Sequence, residues 1–169
     1  MHTTALTLSR LHLTPFNLDM VSDRYVSWLL DPEVVKYSEQ RHRHHSVESC
    51  RAFVASIDHV HAHMWAIFHG DSHVGNITAH RDTPNGTADV GILMGDRSVW
   101  GQGFGAETYG AVTEWLLASG CRMVTGGTME ANKGMTRVFE KCGFSIDGVR
   151  PGFFMLDGTP TGMVLASKA

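Results

Sequence analysis

A glycine-rich segment that follows an apolar run and opens a helical pattern is the part of this sequence best suited to binding chemistry. Three glycines alternate with other residues in Gly101-Gln102-Gly103-Phe104-Gly105, and Ala106 follows them. Because glycine has no Cβ, the backbone here can turn sharply and approach a ligand closely. The free N–H groups and the positive dipole end of a helix start then form a site for an anion. The segment therefore predicts a diphosphate cradle, although a tight turn that needs glycine backbone angles would use the same residues.

Two other phosphate-binding signatures match this loop only in part. The pattern Gly101-x-Gly103-x-x-Ala106 satisfies the dinucleotide-binding fingerprint, which belongs in an early strand–helix–strand unit with an acidic residue about 20 positions further on. Residues 121–128 contain no acidic residue, and only about 60 residues follow the loop. The P-loop signature fails because no Gly-Lys-Ser/Thr follows. A dinucleotide-dependent oxidoreductase is the alternative that rests on the loop alone.

Histidine is unusually frequent, with 11 in 169 residues. One group occupies residues 42–45, just before a helix that Ser46 is predicted to cap. His59 and His63 are spaced i, i+4, so they would share a face if that stretch were helical, and two histidines at that spacing can bind a metal. No third ligand accompanies them, so we expect no metal site.

The three cysteines are widely spaced without zinc-ligand spacing and are predicted to be reduced thiols: Cys50, Cys121 and Cys142.

The elements that must position these residues form a mixed α/β pattern. Leucines from Leu6 to Leu13 predict a first strand, interrupted near Ser9-Arg10. Two helices follow, one capped by Asn17 or Asp19 and carrying Val21, Tyr25, Trp28 and Leu29, the other with Phe53, Val54 and Ile57 facing the core. Further on, strands are predicted over 64–68, 74–80 and 88–94, a helix over 104–119, a strand over 121–125, a helix over 132–142, and a hairpin of 153–156 with 163–165. Asn85-Gly86 is a strong hairpin signal, so the sheet is predicted to be α/β (α+β), mixed rather than purely parallel.

Composition bounds the class of protein. With 43% hydrophobic and 18% charged residues the chain can form a core, and we expect residues 1–169 to make a single domain. The formal charge of −3 argues against nucleic-acid binding through bulk positive charge. No apolar run approaches the roughly 18 residues that span a bilayer, and the N-terminus has no signal pattern. We therefore expect a cytoplasmic protein with neither nucleic-acid nor membrane partners, as a monomer or homodimer.

Taken with this order of elements, several segments resemble the GNAT superfamily of N-acetyltransferases. Residues 11–16 and 31–34 resemble the family's first strand and first helix end, and residues 100–105 resemble its acetyl-CoA loop. Asn132 with residues 138–144 resembles the second cofactor-contacting element. The chain looks closest to the branch of ribosomal-protein N-terminal acetyltransferases and their small-molecule relatives. This implies a mostly antiparallel central sheet of about seven strands with about four flanking helices.

The resemblance also implies a cofactor site and a base. Acetyl-CoA would be the co-substrate, with its pantetheine arm paired to Ile92, Leu93 and Met94 and hydrogen-bonded by Asn132 near the sulfur. Asp89 matches a place where many relatives have Glu as general base, and one methylene less favours a bridging water. The backbone amides that hold the diphosphate would be those of Gly101, Gln102, Gly103, Phe104, Gly105 and Ala106.

Three positions depart from the family pattern, and the acceptor stays open. Trp100 stands where the general pattern has Gln or Arg, Phe139 where many relatives have a Tyr general acid, and Met135 where the ribosomal branch often has Ser. The acceptor is predicted to be a primary amine, with an amino sugar or sugar nucleotide weakly preferred. Arg41, Arg43 and the neighbouring histidines are then candidates for an acceptor phosphate. The alternatives are a protein N-terminus, or a CoA-binding module without catalysis.

Overall fold

One mixed sheet of eight strands runs through the molecule, and the computed structural model describes residues 2–169. The strand order is β1-β2-β3-β4-β5-β6-β8-β7, and every neighbouring pair is antiparallel except β5 with β6. The strands are β1 (Leu6–Thr7), β2 (His12–Pro15), β3 (Ala62–His69), β4 (Ser72–Asp82), β5 (Thr87–Met94), β6 (Met123–Met129), β7 (Ser145–Leu156) and β8 (Thr159–Lys168). The α-helices are α1 (Asp23–Leu30), α2 (Val47–Ala55), α3 (Phe104–Ala118) and α4 (Lys133–Lys141).

The sheet separates two hydrophobic cores, and β3 supplies both. Side chains alternate along a strand, so Trp65 and Ile67 enter the core shared with α3 and α4, whereas Met64 and Ala66 enter the core beneath α1 and α2. All four are at most 1% exposed. Burying a side chain of the size of Ile67 or Met64 stabilises the fold by about 1.5–3 kcal/mol. The expected mixed, mostly antiparallel sheet with four flanking helices is confirmed.

Helix starts follow local hydrogen bonding, which corrects one prediction. Ser46 caps α2 through a capping box with Ser49, as expected for a Ser before an apolar-periodic segment. Helix α1 begins later than predicted, because Ser22 is its cap. Asn17 instead accepts from the backbone N–H of Asp19 and caps a short 3-10 turn, so neither Asn17 nor Asp19 caps α1.

Several element boundaries also differ from the sequence prediction. The first strand is two short strands, β1 and β2, which pair with each other across a turn at Ser9-Arg10 and give eight strands in place of about seven. Strand β6 begins and ends later than the predicted strand over 121–125. The closing hairpin is far longer than predicted, with β7 running for 12 residues. Phe53, predicted to face the core, is 43% exposed.

Within residues 2–169, no helix is both long and apolar enough to cross a membrane.

Candidate active site

The sheet opens where its one parallel pair diverges. Strands β5 and β6 are paired at only three positions, the last of which joins Asp89 to Thr125. Beyond it β5 stays paired with β4 as far as Met94, while β6 stays paired with β8 as far as Met129. The two strands therefore enclose an opening, which we call the β5–β6 cleft, between residues 90–94 and residues 126–129.

Tyr109 of α3 occupies the base of this cleft. Its hydroxyl donates to the carbonyl oxygen of Val90 at 3.1 Å, in place of a bond from β6. Gly126 makes this possible, because a Cβ there would overlap the Tyr109 hydroxyl and the Phe139 ring. Burial, with the nearby Asp89 charge, raises the pKa of Tyr109 well above its usual range, so the hydroxyl stays a donor. Sequence analysis missed this residue, whose only signal is an aromatic side chain at core spacing.

The cleft edge of β5 keeps backbone groups without strand partners. The Met94 carbonyl accepts from the Trp100 indole at 2.8 Å, and Tyr109 takes the Val90 carbonyl. The Gly91 carbonyl points the opposite way, towards Thr78 on β4. Since backbone groups alternate in direction along a strand, the N–H and C=O of Ile92 face the cleft. This is the backbone geometry needed to pair with an extended ligand.

The glycine-rich loop ends in an uncapped helix N-terminus. Gly101 and Gly103 have φ angles of 77° and 83°, in the left-handed region that side-chain-bearing residues avoid. Gly103 is the N-cap of α3, and no side chain caps the helix. The N–H groups of the first turn of this 15-residue helix are therefore available to an anion.

Arg10, in the turn between β1 and β2, holds this loop from outside. Its guanidinium pairs with Glu107 at 2.7 Å, donates to the backbone carbonyl of Gln102 at 2.9 Å and stacks on Phe104. The pKa of Glu107 is lowered through its hydrogen bonds from Arg10 and Ser9, which outweigh the effect of burial. Glu107 is thus paired away from the loop rather than set against a bound phosphate.

The β5–β6 cleft is a cavity of about 870 Å³ that gathers most of the predicted cofactor residues. The Asn132 side-chain oxygen caps α4 by accepting from Met135 N–H at 3.1 Å, which leaves its NH₂ group for a ligand. Gln102 does not line the cleft, since its side chain donates to the Ser98 carbonyl. The predicted residues that do line it are Ile92, Leu93, Met94, Gly101, Gly103, Phe104, Gly105, Ala106 and Asn132.

A second cavity, of about 520 Å³, lies on the face of the sheet covered by α1 and α2. We call it the lateral cavity. Its walls come from α1, α2, the loop of residues 38–45 and β4, and it meets the cleft at Ser38 and at residues 91–93. Gly91 lacks a side chain at this junction. The two cavities therefore form one passage that reaches both sides of β5.

Asp89 lies at the vertex of the cleft but lines neither cavity. Its Oδ2 accepts from the Thr125 hydroxyl at 3.0 Å. It shares a sheet face with Gly91, two residues or roughly 7 Å along the strand. The carboxylate reaches solvent on one side, yet burial against the sheet raises its pKa, while Thr125 and His80 lower it in part. A bridging water would be needed to reach the junction.

His80 and two unpredicted polar residues face the lateral cavity directly. His80 is the β4 partner of Asp89 and lines the cavity wall. Tyr25 and Asn76 also line it, and the Asn76 side-chain oxygen is buried without a hydrogen-bond partner within residues 2–169. Phe139 is fully buried against Tyr109 and Phe144, and its ring has no ionisable proton to donate.

The paired histidines considered for metal binding do not share a helix face. His63 lies in β3 and is fully buried, whereas His59 precedes the strand with a φ angle of 57°. The chain bends at residues 59–61 before entering β3 and is not helical there, and the Thr3 hydroxyl sits between the two ring nitrogens, at 2.8 Å from His63 and 2.9 Å from His59. Within residues 2–169, no three His, Cys, Asp or Glu side chains are grouped to hold a metal ion.

Comparison with known proteins agrees with this geometry. Residues 10–145 match the family model described as an acetyltransferase (GNAT) domain. No curated protein matches the chain. A GNAT-family acetyltransferase from Bacillus anthracis superposes with a TM-score of 0.81 at 16% identity, covering 97% of each chain.

Two further similar structures were solved with ligands. The ribosomal L7/L12 alpha-N-protein acetyltransferase RimL in complex with coenzyme A gives a TM-score of 0.85 at 18% identity, covering 97% of each chain. The Microcin C7 self immunity acetyltransferase MccE, in complex with acetyl-CoA and AMP, gives 0.82 at 17% identity, covering 95% of this chain and 93% of that one. At these identities the likeness shows a shared fold. With its eight-stranded sheet, its diverging parallel pair and its match to the family model, the chain belongs to the GNAT acetyltransferase family.

Proposed function

We propose that this chain transfers the acetyl group of acetyl-CoA to a small primary amine. The observation that carries the proposal is the junction of two cavities on β5 at residues 91–93. A two-substrate transferase needs the donor carbonyl and the acceptor nitrogen to meet with the rest of each molecule held apart. The β5–β6 cleft suits the donor, and the lateral cavity suits the acceptor.

In this proposal the cofactor binds mainly through backbone groups. The first-turn amides of α3 and the loop from Gly101 hold the diphosphate, and the N–H and C=O of Ile92 pair with the pantetheine arm as a missing strand would. The Asn132 NH₂ group bonds the arm near its sulfur end. The coenzyme A and acetyl-CoA seen in RimL and MccE support this assignment.

Asp89 is the proposed general base. An alkylammonium has a pKa near 10.4, so freeing its lone pair at pH 7 costs about 4–5 kcal/mol. The carboxylate takes that proton through a water, and its raised pKa strengthens it as a base. The amine nitrogen then forms a bond to the thioester carbon, releases its second proton to water, and the C–S bond breaks. The thiolate takes a proton from solvent, because Phe139 and Met135 have none to give.

A small acceptor is favoured over a protein N-terminus by the size of the lateral cavity. Its volume of about 520 Å³ matches a single metabolite, such as an amino sugar or the amino-sugar end of a sugar nucleotide. MccE was solved with AMP, a nucleotide, whereas RimL acts on a ribosomal protein. The ranking reverses if ribosomal N-terminal peptides are acetylated robustly and amino sugars are not.

Substitution of Gly103 tests the cofactor site. Valine there would strain the left-handed backbone and set its side chain against the Arg10 guanidinium that holds the loop, so calorimetry should show acetyl-CoA affinity falling at least about tenfold. Gly158→Val is the matched control, because Gly158 has a φ angle of 77° in the β7–β8 turn, far along the chain from the loop. Equal affinity in Gly103→Val and Gly158→Val would remove the loop from the site. Cofactor binding without thiol release for any amine would instead indicate a module without catalysis.

A further inference from the structure

The lateral cavity has a basic rim and no acidic lining residue. Four of its lining residues have a guanidinium or imidazole side chain: Arg43, His44, His45 and His80. No Asp or Glu contributes to its wall, and Asp89 lies just beyond it. A cavity of this composition attracts an anionic group and repels a cationic one.

Arg41 and Arg43, equivalent in the sequence, have different roles in the structure. The Arg41 guanidinium donates to the backbone carbonyls of Ser38 at 3.1 Å and Met155 at 2.9 Å, and it pairs with Glu39. Arg41 therefore holds the loop of residues 38–45 against the β7–β8 hairpin. This corrects the sequence-based expectation that Arg41 binds an acceptor phosphate. The Arg43 guanidinium makes no hydrogen bond or ion pair within residues 2–169 and faces the cavity. Arg41 thus holds the loop in place, and Arg43 is left to contact a ligand in the cavity.

The neighbouring histidines extend this basic rim. The His45 ring donates from Nε2 to the Gln40 carbonyl at 2.9 Å, which fixes its orientation, and Nδ1 can donate to an anion when the ring is protonated on both nitrogens. His44 has no polar partner within the described part of the chain. An arginine with adjacent imidazoles matches the geometry and charge of a phosphate or carboxylate.

A second feature of the cavity, on its sheet wall, also requires a ligand group. Asn76 is 8% exposed, and its side-chain oxygen is buried without a partner among residues 2–169. An unpaired buried acceptor of this kind is costly unless a donor reaches it. The Tyr25 hydroxyl, on the same cavity wall, also has no protein partner in the described residues. A ligand that offers a hydroxyl or N–H donor would satisfy Asn76.

We infer that the acceptor is an amine that also carries a phosphate or carboxylate group, bound by Arg43 with His44 and His45, and that Asn76 accepts a hydrogen bond from a hydroxyl or N–H of the same molecule. This rests on the proposed function. A phosphorylated amino sugar or a nucleotide-linked one has all three groups. A polyamine would place a second ammonium against Arg43 and is excluded by the same charges.

Matched pairs of acceptors test this inference on the full chain. Thiol release from acetyl-CoA is measured with glucosamine against glucosamine 6-phosphate, with ethanolamine against phosphoethanolamine, and with spermidine. The phosphorylated member should have at least about tenfold higher kcat/KM in a pair that fits the cavity. Arg43→Ala should lower its kcat/KM by about 10–100-fold, the usual effect of losing a charge-assisted hydrogen bond, and so collapse the ratio within the pair. His42→Ala is the control, because His42 is exposed in the same loop but does not line the cavity.

Binding to the CoA-saturated protein, measured by calorimetry, keeps the result independent of turnover. The phosphorylated amine should bind more tightly than its neutral partner, and Asn76→Ala should weaken it without changing CoA affinity. Preference for neutral amines or spermidine, or a ratio untouched by Arg43→Ala, overturns the inference while leaving acetyl transfer itself established. Arg43-dependent binding without acetylation of any amine would support an anion site at Arg43 but defeat the proposed function, and with it the identification of the bound amine as an acetyl acceptor. Acetylation confined to peptide N-termini would defeat the small-molecule acceptor.

Discussion

Two pairs of neighbouring strands in this sheet are built for opposite purposes. Strands β3 and β4 are paired from Ala62 to His69 with a single irregularity, and their side chains fill the cores on both faces. Strands β5 and β6 pair at three positions and then diverge around Tyr109. The closed pair satisfies its backbone with protein, whereas the open pair leaves the backbone of Ile92 for a ligand.

This contrast separates stability from function along the chain. Two histidines of the closed pair that face neither cavity, His63 and His73, lower the stability of the fold when they are protonated, because burial disfavours their charged forms. Polar side chains in or next to the two cavities, namely Asp89 of β5 with Asn76 and His80 of β4, lie within reach of a ligand or a bridging water, so changing them should alter binding or turnover. Substitutions in these two sets of side chains should therefore give different phenotypes.

The largest effect is expected at the vertex of the open pair. Asp89→Asn should reduce turnover by roughly 10²–10⁴, the range typical of a general base, and leave acetyl-CoA affinity unchanged. Because burial raises the pKa of Asp89, the wild-type kcat/KM should fall as pH drops through that raised value, and the variant should lose this acidic limb. The pH–rate profile measures both effects.

Asp147→Asn is the matched control for this change. Asp147 is also a strand carboxylate that accepts from a hydroxyl on the adjacent strand, Ser167, at 2.9 Å, but it lies on β7 away from both cavities. Its substitution should leave turnover near wild type. If Asp89→Asn behaves like Asp147→Asn, the base assignment is wrong, and His80→Gln becomes the next variant to test.

Two histidines of the closed pair should make the stability of the fold decrease in acid. Burial, followed by the charge of Arg81, lowers the pKa of His63 to about 4, and burial lowers that of His73 to about 4. Both folded values lie below the ordinary unfolded value near 6.5, so the unfolded chain binds more protons below it. The free energy of unfolding should have its full value above pH 6.5 and should decrease as the pH falls towards 4. The loss that His63 causes should be at most about 3 kcal/mol.

Denaturant titrations across this pH range test the linkage. The slope of unfolding free energy against pH reports the number of protons taken up on unfolding. His63→Leu should lower that number by about one, whatever the stability of the variant at pH 7. His42→Leu, at an exposed site, should keep the wild-type slope. Identical slopes in all three proteins would show that His63 does not titrate on unfolding.

A smaller effect is expected where the open pair depends on glycine. Gly126→Ala should force the new Cβ against the Tyr109 hydroxyl and the Phe139 ring, at a cost of about 1–3 kcal/mol in unfolding free energy. Gly148→Ala places its Cβ in open space on β7 and serves as the control. Equal stability of the two variants in urea titrations would mean that Tyr109 is not wedged at the base of the cleft.

Sequence patterns predicted the elements better than their junctions. Short apolar runs between turn signals located β3, β4 and β5, and the glycines followed by a helical pattern located the loop before α3. The cleft itself was not readable from spacing, because it depends on Tyr109 reaching across to Val90, 19 residues back along the chain. The family resemblance supplied the expectation that residues 92–94 face a ligand.

Residue roles within one loop were likewise beyond the sequence. Arg41 and Arg43 have the same chemistry at neighbouring odd positions, and only the carbonyls that surround Arg41 distinguish them. Asn76 gave no signal at all in the strand pattern, since its significance is the lack of a partner for a buried oxygen. Both distinctions depend on contacts between segments far apart in the chain.

The most direct test of the central claim is amide hydrogen exchange with and without acetyl-CoA. If the cofactor arm pairs with the open edge of β5, the Ile92 amide should become strongly protected on binding, whereas the Gly91 amide, already directed towards β4, should change little. Unchanged exchange at Ile92 in protein saturated with acetyl-CoA would contradict the account, because the arm would then lie elsewhere.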